Sequence, residues 1–273
     1  DAHFSHQTHS LLPGFLISQT LGFWSAIKLF AQIFKPSMSP ATSTSLQHMH
    51  KESLLSIEHK GDFNGNLQVG FTKAEMVYRV EALLKSMGLV KDFASLVYVV
   101  SHGSSSVNNP HFSAYDCGAC CGRPGSVNAR VICHMANDRE VRAMLKQRGL
   151  EIPDDVRFVG ALHDTSRDEI VYYDEQFLSG NQKMRHNQNI AIFAEALKQN
   201  AVERSRRFVL LDKHLPKDKI FQSVRNRSVS LFEPRPELNH ATNTLCIVGS
   251  RNLTKGLFLD RRAFLNSYDA SID

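Results

Sequence analysis

Two apolar runs rich in β-branched residues, Leu96–Val100 and Val156–Leu162, flank a stretch with helical periodicity. This alternation constrains the fold more than any other feature of the chain. Leu-Val-Tyr-Val-Val has no polar alternation, so it reads as a strand buried on both faces. Two such strands joined through helices form a β-α-β unit, in which the strands run parallel. The expected fold is α/β, a mostly parallel sheet flanked by helices.

Local signals place the other elements. Thr72-Lys-Ala-Glu75 is a capping box, with Thr72 as N-cap and Glu75 three residues on. It predicts a helix over 73–87 with Val77, Val80, Leu83, Leu84 and Met87 on one face, ended by Gly88. Val127–Met135 and Asp138–Arg148 read as helices, the second stopped by Gly149. Glu169–Tyr173 is a third strand candidate and Asn187–Arg206 a long amphipathic helix. Thr244–Gly249 and Phe258–Asp260 are further strand-like runs.

The N-terminal quarter differs. Residues 15–34 have helical spacing, whereas Lys35–Gln68 is rich in Ser, Pro, His, Asn and Gly and reads as a long loop. The organisation expected is a helix and loop over 1–68, wrapping the rest or facing a partner, and an α/β domain over 69–273. Leu11–Phe34 is the most apolar segment, but Pro13, Gln19, Ser25 and Lys28 interrupt it. It falls short of the roughly 20 predominantly apolar residues that span a bilayer, so a core or interfacial helix is expected. The chain has no initiator Met or signal-peptide pattern. Both ends look cut, which suggests an excerpt of a longer protein.

Of 273 residues, 42% are hydrophobic and 22% charged, an ordinary globular balance. The net charge of +5 is scattered. The densest run, Glu203–Arg207, reads as a solvated helix end, and no nucleic-acid partner is expected. The five cysteines are odd in number and three cluster at 117–121, which does not suit a disulfide scaffold. A reduced setting with thiolates free for metal fits better.

Those thiols lie in the loop that follows the first strand. Residues 100–125, VSHGSSSVNNPHFSAYDCGACCGRPG, carry His102, His111, Asp116, Cys117, Cys120 and Cys121. Imidazole and thiolate on an irregular loop at a strand end suit a soft metal such as zinc. Cys117-Gly-Ala-Cys120 is a CxxC pair, a half-site for zinc or a redox dithiol. Three readings stay open: a catalytic zinc site, a closed structural zinc or interaction module in which Cys117, Cys120, Cys121 or Cys133 joins His102, and a thiol redox protein. The loop matches neither a GxSxG nucleophile elbow nor a phosphate-binding glycine pattern. His163-Asp164-Thr165, at the end of the second strand, and Arg235–His240 are secondary clusters. Arg167-Asp168-Glu169 reads as an ordinary solvated turn.

HGSSSVNNPHFSAYDCGAC closely resembles the signature of the DabA family, large subunits of a bacterial inorganic carbon transporter. Gly70–Met76, Gly125–Arg130, Met135–Asn137, Val159–Thr165 and Arg235–Thr242 also resemble that family. The resemblance implies a β-carbonic-anhydrase-like fold, incomplete here, around a zinc held by two Cys, one His and one Asp. His102 and Cys117 match the His and one Cys of that set. The other Cys, the Asp and a catalytic Asp–Arg pair belong to a Cys-Ile-Asp-x-Arg strand that this chain lacks, so the chain alone is expected to be inactive. Ser104, Asn108 and Asp116 would orient the ligands, with His111 and Cys120 in lesser roles. The implied activity is hydration of CO2 to bicarbonate by zinc-bound hydroxide, coupled to a cation gradient through a membrane subunit, DabB. The implied location is the cytoplasmic face of the cell inner membrane, as a peripheral protein.

Overall fold

The computed structural model describes residues 11–34, 54–104, 124–230, 245–259 and 263–267. The elements are α1 (Leu11–Phe34), β1 (Phe63–Asn64), β2 (Leu67–Gln68), α2 (Lys73–Ser86), β3 (Leu96–Gly103), α3 (Ser126–Asn137) and α4 (Arg139–Gln147). There follow β4 (Arg157–Asp164), β5 (Glu169–Tyr172), α5 (Gly180–Ser205), α6 (Lys217–Arg227), β6 (Leu245–Gly249) and β7 (Ala263–Ser267).

The chain is mixed α/β, but one mostly parallel sheet is not what the described strands make. They form three small sheets. In the central one, ordered β3-β4-β5, β4 runs parallel to β3 and antiparallel to β5. The mixed character has a simple cause. The β3–β4 connection contains α3 and α4, enough for a crossover, whereas β4 reaches β5 through the short turn Thr165–Asp168 and must reverse. The hairpin β1–β2 is antiparallel and the pair β6–β7 parallel.

The sheet's alternation sorts its two faces. Val97, Val99 and Phe158 face a core built by α2, α3 and α4, in which Val77, Val80, Leu84, Val141 and Leu145 are buried. Each such side chain contributes about 1.5–3 kcal/mol on burial. Leu96, Tyr98, Val159 and Ala161 face α5 through Ile190 and Phe193. Gly160 allows α3 to sit close, since a Cβ there would lie 3.0 Å from the Arg130 Cα.

The capping box of α2 forms as expected, with Thr72 and Glu75 bonding each other's backbone amides. Asp138 caps α4, accepting from the Val141 amide at 2.9 Å, and pairs with Lys73 at 2.6 Å. Burial pushes the Asp138 carboxyl up, but the Lys73 bond and charge and the Val141 amide outweigh it and hold the group below its ordinary value. A depressed carboxyl stabilises the fold above its unfolded pKa, and that stability drains away as pH falls through the folded value. Asp138→Asn should therefore lower the melting temperature at pH 7, and the difference from the parent should close below about pH 4. Parallel melts across pH check this.

Helix α1 stands apart. Phe15, Leu16, Phe23, Trp24, Phe30 and Phe34 are all exposed. Among the described residues, no helix is long and apolar enough to cross a membrane.

Candidate functional site

The carboxyl ends of β3 and β4 bring His102 beside the His163-Asp164-Thr165 cluster. Cα partners in the parallel ladder are His102 with His163 and Gly103 with Asp164. Paired residues of a ladder project to the same face, so the two histidines stand side by side on the α5 face. This pairing is the main fact that the sequence alone does not contain.

The backbone around the histidines is tightly fixed. The Gly125 amide, at the start of α3, donates to the His102 carbonyl at 2.9 Å. A Cβ at Gly125 would come 2.9 Å from the Ser101 Cβ, so only glycine allows this approach. From the β4 side, the Thr165 amide and hydroxyl both donate to the Gly103 carbonyl, at 2.8 and 3.1 Å. Ser104 is buried, and its hydroxyl lies 2.6 Å from that of Ser166. Asp164 closes the turn by accepting from the amides of Ser166 and Arg167.

The rest of the first loop lies outside the described residues. That covers Asn108, His111, Asp116, Cys117, Cys120 and Cys121, and also Arg235–Thr242. Among the described residues, no group of three or more His, Cys, Asp or Glu side chains could hold a metal ion.

Cys133 belongs elsewhere. It is buried in the α2–α4 core, and desolvation pushes its thiol up to about 12. Since the thiolate is the metal ligand and the nucleophile, Cys133 suits neither role. Iodoacetamide at pH 8 should leave Cys133 unmodified in the folded protein and label it in denaturant, as peptide mass spectrometry would report.

Two readings of the sequence need correction. The turn Arg167-Asp168-Glu169 is not solvated: Asp168 is 1% exposed and Arg167 8%. Nor is Glu203–Arg207 a uniformly solvated helix end, because Arg204 is 2% exposed. The two errors have one cause. Arg204 reaches from α5 to the turn and donates to Asp168 Oδ2 at 2.7 Å and to the carbonyls of Thr165 and Ser166. Asn200, one helical turn earlier, donates to Asp168 Oδ1 at 2.6 Å. The i, i+4 spacing of Asn200 and Arg204 is the only trace of this in the sequence.

Two further buried polar groups lie beside the sheet. Arg130 on α3 is fully buried and holds Asp174 through Nε at 2.8 Å and Nη2 at 2.6 Å. On the α5 face, His186 lies 2.8 Å from the Tyr98 hydroxyl and 3.0 Å from Glu175 Oε1. Burial pushes the Tyr172 hydroxyl up to about 12 and raises that of Tyr98, so both stay neutral hydrogen-bonding groups. A cavity of about 1260 Å³ lies at the other ends of the strands, between Ser95, Arg142, Arg157, Phe177 and Gln182. It is no part of the histidine site.

Comparison with known proteins agrees with the sequence reading. The family model described as "Probable inorganic carbon transporter subunit DabA" matches residues 1–273. A relative of that name from Azotobacter vinelandii is 59% identical over 100% of this chain and 32% of its own length. The one from Nitrosospira multiformis is 52% identical over 100% of this chain and 30% of its own. A "DabA 2" from Sorangium cellulosum is 44% identical over 98% of this chain and 27% of its own. The chain thus spans about a third of the length of these curated relatives. No solved structure matches it. By the full-length family match and these identities, the chain belongs to the DabA family.

Proposed function

We propose that this chain is the part of an inorganic carbon transporter subunit that carries His102 and Cys117, two of the protein ligands of a zinc ion. The observation that carries the reading is the position of His102, at the carboxyl end of a parallel strand beside a second histidine. Strand ends of this kind are where α/β folds gather their sites. A neutral imidazole suits zinc, and the Cys117 thiolate would complete half of a tetrahedral set.

When bound, zinc supplies a Lewis acid that makes water acidic enough to furnish hydroxide near neutral pH, the chemistry that CO2 hydration needs. The chain's own contribution is placement. Gly125 and Thr165 fix the backbone around His102, and Ser104 is tied to Ser166. Asn108 and Asp116 are proposed to orient the ligands from the loop. Strand β3 supports the finer fold reading, a β-carbonic-anhydrase-like sheet. Its sequence is that of an interior strand, yet among the described residues it is an edge, open to a further strand. The full subunit would act peripherally at the cytoplasmic face of the inner membrane, with a DabB-like, cation-translocating partner that couples bicarbonate accumulation to an ion gradient.

Metal analysis of the full-length protein tests this. His102→Ala and Cys117→Ala should each lose most of the bound zinc, because three ligands hold the ion far less tightly than four. Full zinc stoichiometry in both variants would sink the assignment. X-ray absorption separates the reading from a closed structural site, which would show four protein ligands and no exchangeable position.

A further inference from the structure

The cavity at the amino ends of β3 and β4 gathers more positive charge than its own carboxylates cancel. Of its charged lining, Lys146 and Glu151 pair with each other at 2.5 Å and drop out of the balance. That leaves Arg139, Arg142, Arg157 and Arg185 against Asp154 and Asp155. The surplus is two positive charges, in a space of about 1260 Å³.

The bonds that these arginines make are to neutral groups. Arg142 donates to the carbonyls of Ala136, Pro153 and Val156 and to Asn137 Oδ1, which fixes its charge in place. Arg185 donates to the Ser95 hydroxyl at 2.7 Å. Arg157, the first residue of β4, lies with its guanidinium over the Phe177 ring, 5.6 Å from the centroid. The carboxylate whose charge reaches it is Asp174, and both oxygens of Asp174 are already held by Arg130. Burial, and after it the charge of Arg157, pushes the Arg142 guanidinium below its ordinary value. Two desolvated like charges held together oppose folding unless an anion relieves them.

We propose that this cavity binds a small phosphate-bearing anion, with Arg157 donating to the phosphate oxygens and the charges of Arg142 and Arg185 adding to the attraction. The fork of a guanidinium matches two phosphate oxygens, and its flat face stays free to rest on Phe177. A phosphate group carries about −1.5 to −2 charges near neutral pH, which suits a surplus of two better than a monoanion such as bicarbonate does. The space is also ample against the roughly 300–1,000 Å³ of ordinary small-molecule pockets. Phe177, Leu178 and Met184 supply an apolar wall for an organic portion. The site uses none of the residues around His102 and does not depend on the zinc reading.

Titration calorimetry on the full-length subunit tests this, with inorganic phosphate, ADP and bicarbonate as the probes. Phosphate or ADP should bind more tightly than bicarbonate. Tighter binding of ADP identifies an organic phosphate as the ligand, and equal affinity identifies free phosphate. Arg157→Gln should weaken the binding about tenfold, the loss of one charge-assisted bond. If that variant does not fold, Arg185→Gln carries the test, because its exposed charge should still be worth about threefold. His102→Ala should bind phosphate as the parent does. The proposal is overturned if the parent binds neither phosphate nor ADP at millimolar concentration, or if the folded arginine variant binds like the parent. Loss of binding in His102→Ala overturns it too, because the anion would then sit at the histidine site.

Discussion

Arg130→Ala should unfold the protein at markedly lower denaturant, with a loss of about 3–5 kcal/mol. The side chain is fully buried on α3 and holds Asp174 with two bonds, at 2.8 and 2.6 Å. Its guanidinium also lies over the Tyr173 ring, 5.9 Å from the centroid. Removing it leaves the Asp174 carboxylate without that partner and opens a cavity where α3 lies close against Gly160 of β4. The charge itself is not what stabilises, because taking an ion pair out of water cancels most of its attraction. Arg130→Met should therefore lose less than Arg130→Ala when each is combined with Asp174→Asn. Urea unfolding of these three variants and the parent measures this, and an Arg130→Ala loss under about 1 kcal/mol would show that the pair contributes little.

Arg204→Ala should cost about as much, roughly 3–5 kcal/mol, for a related reason. One guanidinium serves two carbonyls and a buried carboxylate, so its removal exposes three acceptors to loss together. Arg204→Lys should recover only part, since an ammonium cannot reproduce the forked geometry. Hydrogen exchange gives a second readout. The amides of Ser166 and Arg167, which donate to Asp164, should exchange faster in Arg204→Ala even below the unfolding transition. If they exchange as in the parent, the arginine does not hold the turn.

Local rules made much of the fold readable from sequence. The Thr72–Glu75 box and the stop at Gly88 bracket α2 because capping is decided within one turn of helix. The β-branched runs locate β3 and β4 within a few residues. Where local signals are weak the reading failed. Helix α5 begins at Gly180, seven residues before the periodicity suggests, because Gly180 and Asn181 are poor helix formers that a Ser179–Gln182 capping box rescues. Helix α6 was missed because Lys217-Asp-Lys219 masks its apolar stripe of Ile220 and Val224. The strand expected at Phe258–Asp260 is instead β7, from Ala263. The strand ends followed the same pattern. The position of His102 at the end of β3 was legible from the loop that follows the apolar run. The buried pairing of Asp168 with Arg204 was not, because a solvated charge and a buried, paired one look alike until distant residues meet.

The parallel pairing of β3 and β4 also has a kinetic consequence. His102 and His163 become neighbours only when the whole α3–α4 crossover has closed, and such non-local pairing is the slow step in folding small α/β units. The helices can form in microseconds, on their own sequence, before either histidine has a neighbour. During refolding, burial of the paired β3 and β4 ends should therefore lag behind the helical signal and coincide with the final docking of the sheet.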